Sequence, residues 1–293
     1  MLKNVMKIAA VGAFALTATA TAANAGTTAQ PGETAGLAMG APLPEGVYFV
    51  NTLDWGVRKN KGMPDTKLLV DIPVIAWSTP WTLFGGNIQL LAATPMIHAD
   101  LPGGFDPYGF YNPLLAAKIA FDLGGGFGVS YLSGIYFNAG DRDIRVPATT
   151  WRQDFAISYT GDGWNLTANL LWGITFGTSN YAAFNTTSNG FNLDLTATKT
   201  FGKWEIGAVG FGSTEYDRPD ALKGTPKTKQ FAVGPLVGYN FGPVILQAYL
   251  TRDVYARGTG GSNNRAKDTR FWSRIIIPLW TPATPAAPLV TKY

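Results

Sequence analysis

From Val47 onward the chain alternates apolar and polar residues one by one, the period of strands with two unlike faces. The clearest stretch is Trp164 to Phe176. Trp164, Leu166, Ala168, Leu170, Trp172, Ile174 and Phe176 fall on one face; Asn165, Thr167, Asn169, Leu171, Gly173 and Thr175 fall on the other. Phe191, Leu193, Leu195 and Ala197 likewise oppose Asn192, Asp194, Thr196 and Thr198. Trp151, Phe155, Ile157 and Tyr159 oppose Arg152, Asp154, Ala156 and Ser158, with Gln153 interrupting the apolar side. Leu115, Ala117, Ile119, Phe121 and Leu123 oppose Lys118 and Asp122, and Leu68, Val70, Ile72 and Val74 oppose Lys67 and Asp71. Extended along the chain, the pattern predicts twelve strands: 47–56, 67–76, 83–97, 113–123, 127–137, 149–160, 164–176, 190–200, 204–212, 228–241, 244–255 and 269–280. Many are near the length of a tilted membrane-spanning strand.

The connections alternate strictly in length. Five read as tight hairpin turns: Trp77 to Trp81, Gly124-Gly125-Gly126, Gly161-Asp162-Gly163, Phe201-Gly202-Lys203 and Gly242-Pro243. Between them fall longer links at 57–66, 98–112, 138–148, 177–189, 213–227 and 256–268. Short periplasmic turns and long outer loops are the signature of an outer-membrane barrel, and an even strand count puts both ends in the periplasm. The fold expected is therefore all-β, a transmembrane antiparallel up-and-down β-barrel. Aromatic residues bracket the five turns: Trp77 and Trp81, Phe121 and Phe127, Tyr159 and Trp164, Phe201 and Trp204, Tyr239 and Phe241. They are the expected interfacial girdle.

Targeting agrees with this class. Lys3 and Lys7 precede an apolar run from Ile8 to Ala18, and Ala23-Asn24-Ala25 is an A-x-A cleavage site. Residues 1–25 read as a cleaved signal peptide, 26–46 as a flexible periplasmic lead-in able to fold into the barrel mouth, 47–280 as the barrel and 281–293 as a Pro-rich periplasmic tail. The expected location is the outer membrane of a Gram-negative cell.

Composition excludes more than it assigns. The chain has no cysteine and one histidine, His98, so thiolate and histidine metal sites are not expected. No metal and no cofactor are expected. The net charge of +4 is spread without a dense basic cluster, which argues against nucleic acid.

A charge facing lipid at mid-depth costs about 2–4 kcal/mol. The phasing therefore sends Lys67, Asp71, Lys118, Asp122, Arg152, Asp154, Asp194, Glu205, Arg270 and Arg274 to the lumen. They either pair and fill a narrow barrel or line a water-filled path that selects permeants. A hydrolase would need a nucleophile beside a base. His98-Ala99-Asp100-Leu101-Pro102 offers no serine on its own strand, and His98 reads as a rim residue. Asp141 and Asp143, beside Arg142 and Arg145, read as solvated ion pairs. The triple glycine at 124–126 is a turn, without the Lys-Ser/Thr of a phosphate loop.

Leu43-Pro44-Glu45-Gly46-Val47-Tyr48-Phe49-Val50-Asn51 and Phe271-Trp272-Ser273-Arg274-Ile275-Ile276-Ile277-Pro278-Leu279-Trp280 resemble the outer-membrane proteins associated with phenol meta-cleavage pathways, the SphA-like barrels. The likeness runs from Pro42 to Trp280. It implies a transporter-type barrel, often tied to uptake of aromatic or hydrophobic compounds. The final strand also resembles a barrel-insertion signal ending on an aromatic, Trp280, although here the Pro-rich tail follows it. The function expected is an outer-membrane channel for small molecules, not an enzyme. Its expected partners are outer-membrane lipid and lipopolysaccharide, the barrel-assembly machinery and a small-molecule permeant. The alternatives are a lipid-modifying hydrolase using His98 and a closed structural or adhesive barrel.

Overall fold

The computed structural model describes residues 29–62, 64–101, 103–104, 106–176, 188–217, 224, 226–260 and 263–282. The signal-peptide reading and most of the C-terminal tail lie outside these residues. Fourteen strands are described: β1 (Gly46–Lys59), β2 (Thr66–Leu83), β3 (Gly86–Ala93), β4 (Met96–Asp100), β5 (Tyr108–Phe110), β6 (Leu114–Gly124), β7 (Phe127–Tyr136), β8 (Thr149–Tyr159), β9 (Trp164–Phe176), β10 (Asn189–Phe201), β11 (Trp204–Asp217), β12 (Lys229–Asn240), β13 (Ile245–Arg257) and β14 (Lys267–Trp280). Each of twelve pairs antiparallel with its neighbours, and β1 pairs with both β14 and β2, so the sheet closes on itself. The twelve-stranded barrel expected from the alternation is the observed fold. Closure removes every free edge among these strands, which satisfies the backbone without water.

The remaining two strands come from a break in the third predicted strand. Thr94-Pro95 interrupts 83–97 and divides it into β3 and β4. β3 runs beside β6, whereas β4 continues along β2 but pairs on its other edge with β5. The β4–β5 hairpin thus rises from the end of the barrel that carries the long links.

The first tight turn also differs from expectation. β2 does not end at Trp77 to Trp81; it runs on to Leu83, and the turn is Phe84-Gly85, both at positive φ (52° and 84°). Pro80, which suggests a break in sequence, sits where the β2–β3 register shifts between Ser78 and Thr82. A bulge tolerates a residue that cannot donate to the ladder. The other four turns fall where the glycines place them.

A second correction concerns the facing of β2. Leu68, Val70 and Ile72 are buried on the inner face with Ala99 and Leu101, while Lys67 is exposed and Asp71 is half-buried on the outer face. Lys67 pairs with Asp100 at 2.7 Å near the long-loop end, and Asp71 accepts from Asn51 Nδ2 at 2.8 Å. The strand reads Leu68-Leu69-Val70-Asp71-Ile72-Pro73-Val74-Ile75-Ala76-Trp77, apolar on both faces. Two charges cannot fix the phase of such a strand, because shifting it by one residue swaps its two faces.

Elsewhere the alternation holds. Leu166, Leu170, Leu193, Phe155, Ile157 and Phe271 are exposed on the outer surface. On the adjacent positions Thr167, Asn169, Asp194, Asp154, Arg152 and Arg270 are buried inside. Gln153, the polar interruption on the outer face of β8, accepts a hydrogen bond from Tyr131 Oη at 3.1 Å. The aromatics at the short-turn end meet in pairs across it. Ring centroids lie 5.1 Å apart for Trp77–Trp81, 4.9 Å for Phe127–Tyr159, 4.7 Å for Trp204–Tyr239 and 4.6 Å for Tyr239–Phe241. Trp164, Phe201 and Trp204 are exposed on the outer surface, and Phe121 is half-buried.

Candidate functional site

The lumen is occupied by the chain's own N-terminal segment. Residues 29–45 run inside the barrel down to the short-turn end, where β1 begins. Ala35 is fully buried, and Ala29, Gln30 and Thr34 are buried with it. The reason is hydrogen bonding: the segment's free backbone groups meet the polar inner face of the wall.

Asp194 of β10 clasps the first turn. Its carboxylate accepts from the Gly32 amide (2.9 Å), the Thr34 amide (3.0 Å) and Thr34 Oγ1 (2.7 Å). Lower down, the Gly36 amide donates to Thr196 Oγ1 at 2.7 Å and the Gly40 amide to Ser158 Oγ at 2.8 Å. Ser130 Oγ donates to the Met39 carbonyl and Ser78 Oγ to the Leu43 carbonyl, at 2.8 and 2.7 Å. Gly40 approaches the wall so closely that a Cβ there would lie 2.5 Å from the Ser158 nitrogen.

Arg274 of β14 grips the same segment from the other side. It donates to the carbonyls of Glu33 and Ala35, both at 2.6 Å, to Gln247 Oε1 at 2.9 Å, to Thr52 Oγ1 at 2.9 Å and to Tyr249 Oη at 3.1 Å. All five acceptors are neutral. Two further groups of lumen charges are ion-paired. Arg152 spans Glu33 of the segment and Asp154 of its own strand, with Tyr136 Oη 3.0 Å away. Arg270 binds Asp54 and Asp268, and Arg58 lies 3.6 Å from Asp268. Below Trp272 a small apolar cluster of Phe211, Tyr249 and Leu236 packs on Ala35.

Of the ten sequence-selected lumen charges, Lys118, Arg152, Asp154, Asp194, Arg270 and Arg274 are buried inside. Glu205 is half-buried near the short-turn end and accepts from Thr198 Oγ1 and Gln247 Nε2. Asp122 is exposed at the short-turn end of β6 and accepts from the Gly124 amide, so it does not line the lumen. With Lys67 and Asp71 outside, three of the ten leave the set. The sequence reading missed Glu33, Asp54, Arg58, Asp253 and Asp268. Asp54 and Arg58 lie on the same phase as Thr52 in β1, so extending the alternation through β1 would have found them. Glu33 had no such signal, since its segment is aperiodic.

The polar clasp lies mainly on β8–β10, β13 and β14. The opposite wall is apolar. There a cavity of about 350 Å³ remains between the segment and strands β1–β3, β6 and β7. Leu37, Ala38 and Met39 cover it from the segment; Val50, Ile72, Val74, Leu91, Leu114 and Leu132 form its walls. Its polar edge is Lys118, Gln89, Tyr136 and Arg152 together with Tyr48, Thr34, Thr52 and Glu33, whose carboxylate is paired with Arg152. The inward-facing apolar stretch of β2 at Ile72, Val74 and Ala76 borders this space, and β2 meets the segment by a hydrogen bond only farther along, at Ser78.

His98 lies in β4, exposed, with Nε2 2.6 Å from Asp106 Oδ1 and its ring 6.5 Å from that of Tyr108. Neither contact brings a serine to it. Asp141 accepts from the Phe110 amide at 2.7 Å, which ties its loop to β5. At the rim, the hydrogen bond from Lys59 holds the Asp65 carboxyl below the usual carboxylate range, helped by the Asn60 amide. Among the described residues no cluster of side chains is arranged to hold a metal.

A family model described as "Putative MetA-pathway of phenol degradation" matches residues 45–267. No curated protein matches the chain. Among solved structures, the COG4313 outer membrane channel from Pseudomonas putida F1 aligns over 81% of this chain and 97% of its own, with 12% identity and a TM-score of 0.63. The CymD monoaromatic hydrocarbon channel covers 80% of this chain and 88% of its own, at 10% identity and a TM-score of 0.45. The NanC porin covers 78% of this chain and all of its own, at 11% identity and the same TM-score. The first of these supports the fold; the other two are too distant in shape to argue from.

Proposed function

The chain belongs to the phenol-degradation family whose model spans most of it, and on that premise we propose that it is an outer-membrane channel for small, largely apolar molecules such as monoaromatics. The observation that carries this reading is the apolar cavity inside the lumen. A barrel built only for mechanical strength gains nothing from leaving such a space, since close packing is the stable state of an interior. A general porin would line its lumen with water-facing charges.

The N-terminal segment closes the path, and passage requires it to shift away from the wall. Arg274 and Asp194 hold it mainly by hydrogen bonds, about 1.5–3 kcal/mol each where one partner is charged. Such a clasp is strong enough to keep the lumen shut and weak enough to be released in steps. The aromatic pairs at the short-turn end would sit at the inner headgroup level, with lipopolysaccharide around the opposite, long-loop end. Insertion would proceed through the barrel-assembly machinery, after export on residues 1–25 and cleavage near Ala25. No catalytic step enters this reading.

The test is entry of a radiolabelled monoaromatic into Gram-negative cells that carry or lack the protein. Faster entry with the protein is expected. Equal rates would leave the closed structural barrel, which the lumen segment alone would favour.

A further inference from the structure

We infer that the lumen cavity is a binding site for amphipathic monoanions, with Lys118 as the anion anchor. This deepens the channel reading and rests on it for its meaning as a permeant site. Lys118 lines the cavity and is only 6% exposed. Among the described residues it makes no hydrogen bond and no ion pair. Its inward row reads Gln89, Lys118, Leu132 and Asp154 across β3, β6, β7 and β8. Asp154, the acid in that row, has both oxygens taken by Arg152, at 2.9 and 2.8 Å. The lumen arginines Arg152, Arg270 and Arg274 each donate to carboxylate, carbonyl, amide or hydroxyl oxygens. Lys118 alone among the cavity's cations keeps its donors free.

The Lys118 ammonium faces the cavity with three donors, and in so apolar a surrounding a charged partner there is favourable. A ligand oxygen bearing negative charge satisfies it best, because charge-assisted bonds are roughly twice as strong as neutral ones. The rest of the cavity dictates the remainder of the ligand. Leu37, Val74, Leu91, Leu114 and Leu132 offer only apolar contact. A volume of about 350 Å³ lies at the small end of ligand pockets, which suits a single ring or a short chain. A compact carboxylate or phenolate with an apolar body meets all three conditions. A polyanion would leave charge against the apolar wall, and a cation would face Lys118.

The experiment is calorimetric titration of the folded full-length barrel in detergent with benzoate, with its neutral analogue benzyl alcohol and with phenyltrimethylammonium. Wild type is expected to bind benzoate at least tenfold tighter than either. Lys118→Met is expected to lose tenfold or more for benzoate and to keep its affinity for benzyl alcohol. Lys118→Gln repeats the comparison with a polar side chain, and heat-modifiable gel migration checks that each variant is folded. Benzoate bound no tighter than benzyl alcohol by wild type overturns the proposal, even if neither variant folds. So does benzoate affinity unchanged in Lys118→Met. Binding is read without transport. A barrel that prefers benzoate but passes nothing refutes the channel reading alone; one that speeds monoaromatic entry without that preference refutes only this inference.

Discussion

Arg274 Nη1 donates to the carbonyl of Ala35 at 2.6 Å, joining the last strand of the barrel to a segment 239 residues earlier in the chain. The same guanidinium holds the Glu33 carbonyl, so one side chain fixes two turns of the lumen segment. Because Arg274 has only neutral acceptors, its grip depends on the segment staying in place.

Replacing Arg274 with Gln removes both carbonyl contacts while keeping a polar side chain in the lumen. Loosened closure is expected, read as more frequent or larger openings in planar bilayers. Openings identical to wild type would mean that the segment is held without Arg274.

Trp272 is fully buried in the lumen cluster, stacked on Tyr249 at 5.1 Å with an interplanar angle of 11°, and its Nε1 donates to Thr251. Trp272→Ala removes this packing and leaves a cavity. A loss of about 3–5 kcal/mol is expected. Urea unfolding in micelles measures it, and a midpoint unchanged from wild type would place Trp272 outside the stabilising core.

The outer face is tested by Leu170→Arg. The side chain is exposed on the lipid side of β9, and the cost is expected at about 2–4 kcal/mol if it lies near the bilayer midplane. Folding yield into lipid vesicles should fall well below that of wild type. Full yield would indicate that this part of β9 lies in the headgroup region.

Much of the fold was legible because the membrane makes alternation strict. Wherever one face of a strand is apolar and the other polar, as in β9 and β10, the sequence reading and the structure coincide in position and phase. Legibility failed where that contrast is missing. β2 is apolar on both faces, since its inner side borders a cavity, so its sequence points Lys67 and Asp71 inward whereas the strand turns them outward. Pro80 reads as a turn in the sequence because a bulge and a turn share that residue. Residues 29–45 have no period at all. Their position follows from hydrogen bonds to Asp194, Arg274 and Ser158, which lie over a hundred residues away and leave no local signal. The site was therefore half legible: its charges on β8, β10 and β14 were visible, while its lid and its apolar wall were not.

The corrected phase of β2 has its own test. Ile75→Cys should react with a lipid-soluble maleimide, because Ile75 is exposed on the outer face, while Val74→Cys, which lines the cavity, should be protected. The reverse pattern would restore the sequence-based phase and remove the apolar wall of the cavity.

If the N-terminal segment closes a lumen that otherwise conducts, pinning it to the wall must keep conductance low. Thr34 Oγ1 donates to Asp194 Oδ2 at 2.7 Å, so cysteines at the two positions lie within reach of a short bis-methanethiosulfonate, which joins them through reducible disulfide bonds. The decisive measurement is unitary conductance of the cross-linked Thr34→Cys/Asp194→Cys protein in planar bilayers, before and after reduction. Low, steady conductance is predicted while the cross-link holds the segment against β10. Reduction should raise it, since the Asp194 clasp is then gone. Equal conductance in both states, with the cross-link verified by mass, would contradict closure by this segment.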